Sequence, residues 1–292
     1  MSENAVSFLG TGKVGTILAR ALVRRGYPIG GLYSRCPSSA QESRRLIGEG
    51  KVFSRPEDAA EQGNIVFLTV ADDAIAPVAA ELAGARLSWN DRIVFHCSGL
   101  LSSSILEPLE QRGALTASLH PVQSFVHKNQ NLSALENVFY GLEGHPRAVE
   151  TAREIVDRLR GTAFDLSGVN RPAYHAACSL SSNFFVTLLE TAAGILESNG
   201  FSPELSIKIL TPLMQGTLQN VNIFGAAASL SGPLVRGDII SVRAHLKALK
   251  KVDGTAESFY RQLALHSLET LEKAKNLPPK TIRALKNLLE DK

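Results

Sequence analysis

Along the first half of the chain, short apolar runs alternate with stretches in which apolar positions recur at helical spacing. Short runs rich in β-branched and aromatic residues read as buried strands, and the 3.6-residue period between them reads as helix. Strands are expected at residues 6–9, 29–33, 65–70, 93–96 and 115–119, with a short one at 51–53. Helices are expected between them, among others at 14–25 and 74–83. Their caps are expected at Ser38 or Ser39, at Asp72 or Asp73, and within Ser102 to Ser104. After His120-Pro121 comes a polar loop, VQSFVHKNQNLSALEN, followed by a strand at 138–140, a helix at 146–159 and a last strand at 163–166. Such alternation implies a mostly parallel, doubly wound sheet with crossover helices.

From about Ser167 the pattern changes. Strand signals stop, and helical periods run over 172–198, 203–222, 239–250, 256–276 and 279–290. The expected organisation is therefore an α/β Rossmann domain over residues 1–166 and an all-α domain over 167–292. The stretch 174–196 is rich in Ala, Ser, Leu and Phe on all sides, which predicts burial on most faces, at a domain seam or a dimer interface.

Composition then removes several classes. With 44% hydrophobic and 20% charged residues the chain has the balance of a folded protein, not a disordered one. A net charge of +3, with no basic run broken by aromatics, gives no reason to expect nucleic acid. Cys36, Cys97 and Cys178 lie far apart, which suits a reducing cytoplasm and excludes a C-x-x-C metal site or a disulfide framework. No leader pattern opens the chain, and no uninterrupted apolar run reaches the ~18 residues of a membrane span. The expectation is a cytoplasmic protein with no membrane partner.

The first expected strand runs into Gly10-Thr11-Gly12-Lys13-Val14-Gly15, which fits G-x-G-x-x-G. In that motif the first glycine permits a tight turn and the second lets backbone approach a pyrophosphate. The third packs helix on strand, and the helix N-terminus receives the phosphates. The second strand ends on Ser34-Arg35, where a carboxylate normally accepts a bond from a ribose 2′-hydroxyl. Hydroxyl and guanidinium reverse that preference in favour of a 2′-phosphate, hence NADP(H) over NAD(H). Ser38 and Ser39 follow as further donors and Lys13 as added positive potential, although Lys13 reads nearly as well as a solvated lysine, and a solvated surface arginine is the lesser reading of Arg35.

The later strand ends supply the rest of the site. Val70-Ala71 should face the middle of the cofactor, and HCSG places Ser98 near the nicotinamide, as a carboxamide or carbonyl partner or as a plain turn residue. His120 precedes a proline, whose ring pushes it to extended geometry and aims it outward from the strand tip. In SGPLVRGD, Asp238 is suited to cap a helix. Arg236 is suited to clamp a substrate carboxylate or to lock backbone at a seam. His127, His145, His245 and His266 read as solvated or capping residues, and no set has metal-ligand spacing.

The five pieces FLGTGKVG, HCSG, LHPVQSF, YHAACSLSSNF and SGPLVRGD together resemble Rossmann-like oxidoreductases with a helical C-terminal domain of unknown function. That family is similar, distantly, to ketopantoate reductase, pyrroline-5-carboxylate reductase and 3-hydroxyisobutyrate dehydrogenase. The resemblance implies an NADP-binding first domain and a homodimer formed through C-terminal helices. In the wider group a helix of the second domain carries a lysine acid and, four places on, an asparagine. Asn183 matches the asparagine, but Ser179 stands where the lysine is expected. His175, two turns before Asn183, is then the replacement acid, with Asn183 and Ser98 orienting a carbonyl and His120 as the second candidate acid. The expected activity is NADPH-dependent reduction of a small keto acid or imine acid, ketopantoate being the most concrete candidate. A non-catalytic NADP-binding redox sensor or regulator stands beside it, and hydride exchange with a flavin or deazaflavin is a third reading.

Overall fold

The structure is a computed structural model that describes residues 5–252, 254–274 and 276–290. Residues 1–4, over which a leader would begin, and residue 275, inside the stretch expected as helix to 276, lie outside the described residues.

The first part of the chain builds one sheet from β1 (Val6–Leu9), β2 (Ile29–Tyr33), β3 (Lys51–Val52), β4 (Ile65–Leu68), β5 (Ile93–His96), β6 (Leu115–Pro121), β7 (Phe139–Gly144) and β8 (Thr162–Asp165). Their spatial order is β3-β2-β1-β4-β5-β6-β7-β8. All neighbouring pairs are parallel except β6 with β7, which run antiparallel with His120 opposite Gly141. The expected doubly wound, mostly parallel architecture is the one observed. The helices of this part are α1 (Lys13–Arg24), α2 (Pro37–Ile47), α3 (Pro56–Glu61), α4 (Asp72–Gly84), α5 (Glu107–Glu110), α6 (Pro146–Arg158) and α7 (Arg171–Ser181).

The two-residue period of the strands splits the core into two layers. Phe8, Phe67 and Phe95 stand side by side on β1, β4 and β5, adjacent ring centroids 5.0 Å apart, and pack with Ile17, Leu18 and Leu22 of α1 and Ile155 of α6. Leu9, Val66, Leu68 and Val94 point the other way, onto Ala59 of α3 and Ile75, Ala79 and Leu82 of α4. Each such large side chain, fully buried, contributes about 1.5–3 kcal/mol.

Contacts divide the chain into two units, 1–181 and 182–292. The change of sequence character at 167 thus precedes the division of contacts, because α7 is fastened to the sheet by its first residue, Arg171. Some caps differ from expectation. α2 starts at Pro37 with Cys36 at its N-cap, since proline at the first helical position settles the start ahead of Ser38 and Ser39. Asp72 and Asp73 lie inside the first turn of α4, facing the positive end of its dipole, with Ala71 at the N-cap. Ser102 precedes a 3₁₀ turn but spends its hydroxyl on Ser104 (2.6 Å).

The second unit consists of α8 (Asn183–Glu197), α9 (Pro203–Phe224), α10 (Ala226–Ser229), α11 (Ile239–Val252), α12 (Gly254–Lys273) and α13 (Pro279–Glu290). Its core joins Val242 and Leu246 of α11, Ala264, Leu268 and Leu271 of α12, and Leu285 and Leu289 of α13. Asp238 caps α11 as expected, accepting from the Ser241 amide (3.0 Å) and hydroxyl (2.6 Å). The single helix expected over 172–198 is two, broken at Ser182. Nor is it buried: Phe184, Val186 and Leu188 are exposed on α8, as are Leu213, Ile223 and Phe224 on α9. Apolar composition on all sides demands cover, and a single copy of the chain does not supply it. By length and composition the stretch Arg171–Glu197, with a mean hydropathy of 1.2 over its most apolar 18 residues, would also suffice to cross a membrane, although charged and polar residues interrupt it.

Candidate cofactor and active site

In this strand order the chain reverses direction across the sheet between β1 and β4, so their carboxyl ends flank the crevice where such sheets bind ligands. Gly10 leaves β1 with φ +107°, a conformation for which a side chain is strained. A Cβ there would also sit 2.5–2.6 Å from the Thr69 carbonyl and the Val70 nitrogen, at the end of β4. The Thr69 hydroxyl donates to the Gly10 carbonyl (2.5 Å) and locks the two strand ends together. At Gly15 a Cβ would strike the Gly10 carbonyl and Thr69, so the third glycine of the motif meets the packing demand foreseen for it. Gly12, by contrast, is exposed with nothing within 4 Å of where a Cβ would stand, and it is the N-cap of α1. The first-turn amides of α1 follow it, beginning at exposed Lys13 and half-buried Val14. The Thr11 hydroxyl is buried without a hydrogen-bond partner, while the Thr11 carbonyl accepts from Ser39 and Ser43. Open backbone, a helix N-terminus and an unsatisfied hydroxyl fit a dinucleotide pyrophosphate.

Beyond β2, Ser34 is half-buried and accepts from the Cys36 amide (3.3 Å), and Ser38 is exposed with its hydroxyl 3.1 Å from the Cys36 sulfur. Arg35 is exposed and makes no hydrogen bond or ion pair among the described residues, so its guanidinium is available to an anion. Val70 is half-buried and Ala71 exposed, in the turn from β4 into α4.

A second cluster forms at the ends of β5 and β6, on the same edge of the sheet. Gly99 lies against two imidazoles: a Cβ there would be 2.7 Å from His120 Nε2 and 2.9 Å from His175 Cδ2. The His120 and His175 ring centroids are 6.5 Å apart. His120 Nδ1 shares a 2.8 Å hydrogen bond with the Tyr174 hydroxyl. Burial first, and then the positive Arg171, push the His120 pKa down to about 4, so His120 is neutral at neutral pH. His175 is half-buried. The Ser98 hydroxyl accepts from the Leu100 and Leu101 amides (3.1 and 3.2 Å), as a turn residue does.

Arg171 organises the cluster. Its guanidinium donates to the Ser98 carbonyl (2.7 Å), the Gly99 carbonyl (3.1 Å) and the Ser118 hydroxyl (3.0 Å), and pairs with Glu143 of β7 (3.3 Å). It is 5% exposed, which is rare for an arginine unless it is paired. His96 is fully buried: Nδ1 accepts from the Ser98 amide (3.2 Å), which leaves Nε2–H to donate to the Ser102 carbonyl (3.1 Å). Burial holds its pKa near about 4.

The structure thus brings Ser98, His120 and His175 together. Asn183 and Arg236 belong to the other unit, where Asn183 opens α8 and Arg236 lies exposed in the turn before α11. Sequence reasoning missed Arg171, Tyr174 and Glu143, and it saw His96 only as part of HCSG. HCSG marked the loop, but charge and spacing carry no sign that Arg171 goes inward, and Tyr174 reads as core. Among the described residues, no group of three or more His, Cys, Asp or Glu could hold a metal ion.

A model of Rossmann-like domains matches residues 2–121, and one described as a domain of unknown function (DUF2520) matches residues 138–267. No curated protein matches the sequence. Among solved structures the chain is similar to protein TM1727 from Thermotoga maritima, at 28% identity over 92% of this chain and 99% of that one (TM-score 0.69). An imine reductase from Pseudomonas sp. is 15% identical over 99% and 100% (TM-score 0.63). A pyrroline carboxylate reductase from Plasmodium falciparum with NADP bound is 14% identical over 99% and 100% (TM-score 0.60). At those identities the last two speak for the fold alone. A doubly wound sheet that opens on a glycine turn agrees with the Rossmann-like match over residues 2–121, and the segment at 138–267 that runs on into helices matches the DUF2520 model.

Proposed function

We propose that this protein is an NADP(H)-dependent oxidoreductase that reduces a small keto acid or imine acid, with ketopantoate the most concrete substrate. The observation that carries the reading is a single sheet edge: the glycine turn sits at the end of β1, and the Gly99–His120–His175 cluster lies at the ends of β5 and β6. The imine reductase and the NADP-bound pyrroline carboxylate reductase share the fold and lend support to the cofactor class.

The chain would hold the pyrophosphate at Gly12 and the α1 N-terminus, and the 2′-phosphate at Ser34 and Arg35. When bound, the cofactor supplies the hydride. The chain's own task is the proton, because a carbonyl or imine receiving hydride develops negative charge or basicity that a donor must meet. His175 is the assigned acid: it is half-exposed, so solvent can recharge it, whereas His120 stays neutral and serves as its neighbour and as a partner of Tyr174. The Ser98 hydroxyl is held by the amides it accepts from in its own turn, which leaves its O–H to donate to a carbonyl. Asn183 and Arg236 remain the helical unit's candidates for carbonyl and carboxylate binding.

Ser179, where the wider group has its lysine acid, favours a second reading in which the protein binds NADP without turning over and acts as a redox sensor. One experiment separates the two. NADPH oxidation is followed at 340 nm (the nicotinamide band) across a panel of keto acids and cyclic imines. Turnover that falls about 100-fold or more in His175→Ala, with NADPH affinity unchanged, supports catalysis. NADPH binding with no turnover on any panel member supports the sensor, and no binding at all refutes both.

We further assign the exposed apolar face of α8 and α9 to a second copy of this chain. Glu190, Thr187 and Thr191 on α8 suit a protein partner better than lipid.

A further inference from the structure

From sequence, residues 122–137 are only a polar connection between two strands. In the structure the middle of that loop is bound down onto α1 and α2. Arg20 of α1 donates through Nη1 to the carbonyls of Lys128 (2.9 Å) and Gln130 (3.0 Å). The Lys128 ammonium lies 2.8 Å from the Ser39 hydroxyl, 3.2 Å from the Ser39 carbonyl and 2.8 Å from Glu42 Oε2. Ser39 in turn donates to the Thr11 carbonyl in the glycine turn (3.3 Å).

This is an unusual place for a lysine. Its side chain is 17% exposed, so much of its hydration is already gone, yet its one carboxylate partner among the described residues, Glu42, is 61% exposed. An exposed carboxylate is a weak and easily displaced partner. The cation is held at the first turn of α2, immediately after Ser34, Arg35 and Ser38. Its field extends that way: the Cys36 thiol, drawn down first by the Ser38 hydroxyl, also feels Lys128. A desolvated ammonium, an unpartnered arginine and two serine hydroxyls gathered on one strand–helix turn match a phosphate dianion far better than a ribose hydroxyl.

We infer that Lys128, delivered by the β6–β7 loop, is a specificity-determining residue that recognises the 2′-phosphate of NADP(H) together with Arg35. The inference rests on the reading above that a dinucleotide binds at the glycine turn. It adds a residue supplied from beyond the segment matched by the Rossmann-like model, tied to the pyrophosphate turn through Ser39 and Thr11. A purely structural Lys128 would strut the loop and affect both dinucleotides alike.

The test is calorimetric titration of the full chain with NADP⁺ and with NAD⁺, for the unaltered protein and for Lys128→Gln, Lys128→Arg and Arg35→Gln. Lys128→Gln should weaken NADP⁺ binding about tenfold or more, the size of one lost charge-assisted hydrogen bond, and NAD⁺ binding less than about threefold. Lys128→Arg should keep NADP⁺ within about threefold, and the salt dependence of NADP⁺ binding should flatten in the glutamine variant. Equal losses for both dinucleotides would make Lys128 a strut, and no loss for either would also overturn the inference. If Arg35→Gln abolishes the preference while Lys128→Gln leaves it intact, only the role of Lys128 falls. If the unaltered protein binds neither dinucleotide, the cofactor reading itself falls and takes this inference with it.

Discussion

His96 and His120 show how one residue type comes to serve two purposes in a single fold. Both imidazoles are withdrawn from water near Arg171, and both are held near a pKa of about 4. An unfolded histidine titrates near 6.5. As pH falls through that value the unfolded chain gains protons that the folded chain refuses until about 4. The stabilisation is therefore complete above about pH 6.5 and is lost between there and 4, at up to about 1.4 kcal/mol per pH unit for each histidine. Urea midpoints should decline steadily from pH 7.5 to 4.5, and the decline should be shallower in His120→Gln. A variant slope equal to that of the unaltered protein would refute the assignment for His120. Both residues were visible in the sequence, as HCSG and as a histidine before proline. Their neutrality was not, because it depends on burial beside an arginine 51 positions beyond His120.

At the scale of elements, α7 is the piece on which local pattern and contacts differ. Its composition belongs with the helices that follow, yet Arg171 pins its first turn to the carbonyls of the β5 loop and to Glu143 of β7. Removing one partner of a buried ion pair strands the other charge, which typically costs about 3–5 kcal/mol. Arg171→Met should therefore lower the unfolding free energy of the protein by that order in urea titrations, and Arg171→Met with Glu143→Gln should restore part of it. A single variant within about 1 kcal/mol of the unaltered protein would show that other contacts hold α7. Strands were easier to read, since their buried runs survive any arrangement of the rest. Caps were harder: Pro37 sets the start of α2 ahead of two good capping serines, a competition that composition alone does not resolve.

For the whole molecule, the exposed apolar side chains of α8 and α9 are the feature that one chain leaves open. Leu213 is 68% and Ile223 71% exposed, alongside Phe184 and Phe224. Large apolar patches on soluble proteins commonly mark interaction sites, which is the basis of the second copy proposed above. If a second copy covers it, light scattering after size exclusion should give twice the chain mass, and Leu213→Glu or Ile223→Glu should reduce it to one chain. A monomer for the unaltered protein at micromolar concentration would refute this assignment. For 174–196 the sequence predicted burial at a domain seam or a dimer interface, because its pattern does not distinguish the two.

By itself the sequence determined what depends on neighbours along the chain. Strand–helix alternation, the glycine turn and the Ser34-Arg35 ending follow from local periodicity and backbone chemistry, which act over a few residues. Only the tertiary structure decided which side chains meet from distant segments: Arg171 and Glu143 with the β5 loop, Tyr174 with His120, and Lys128 with Ser39. Those contacts are set by strand order and loop paths, and the energies that fix them arise only when burial removes the groups from water.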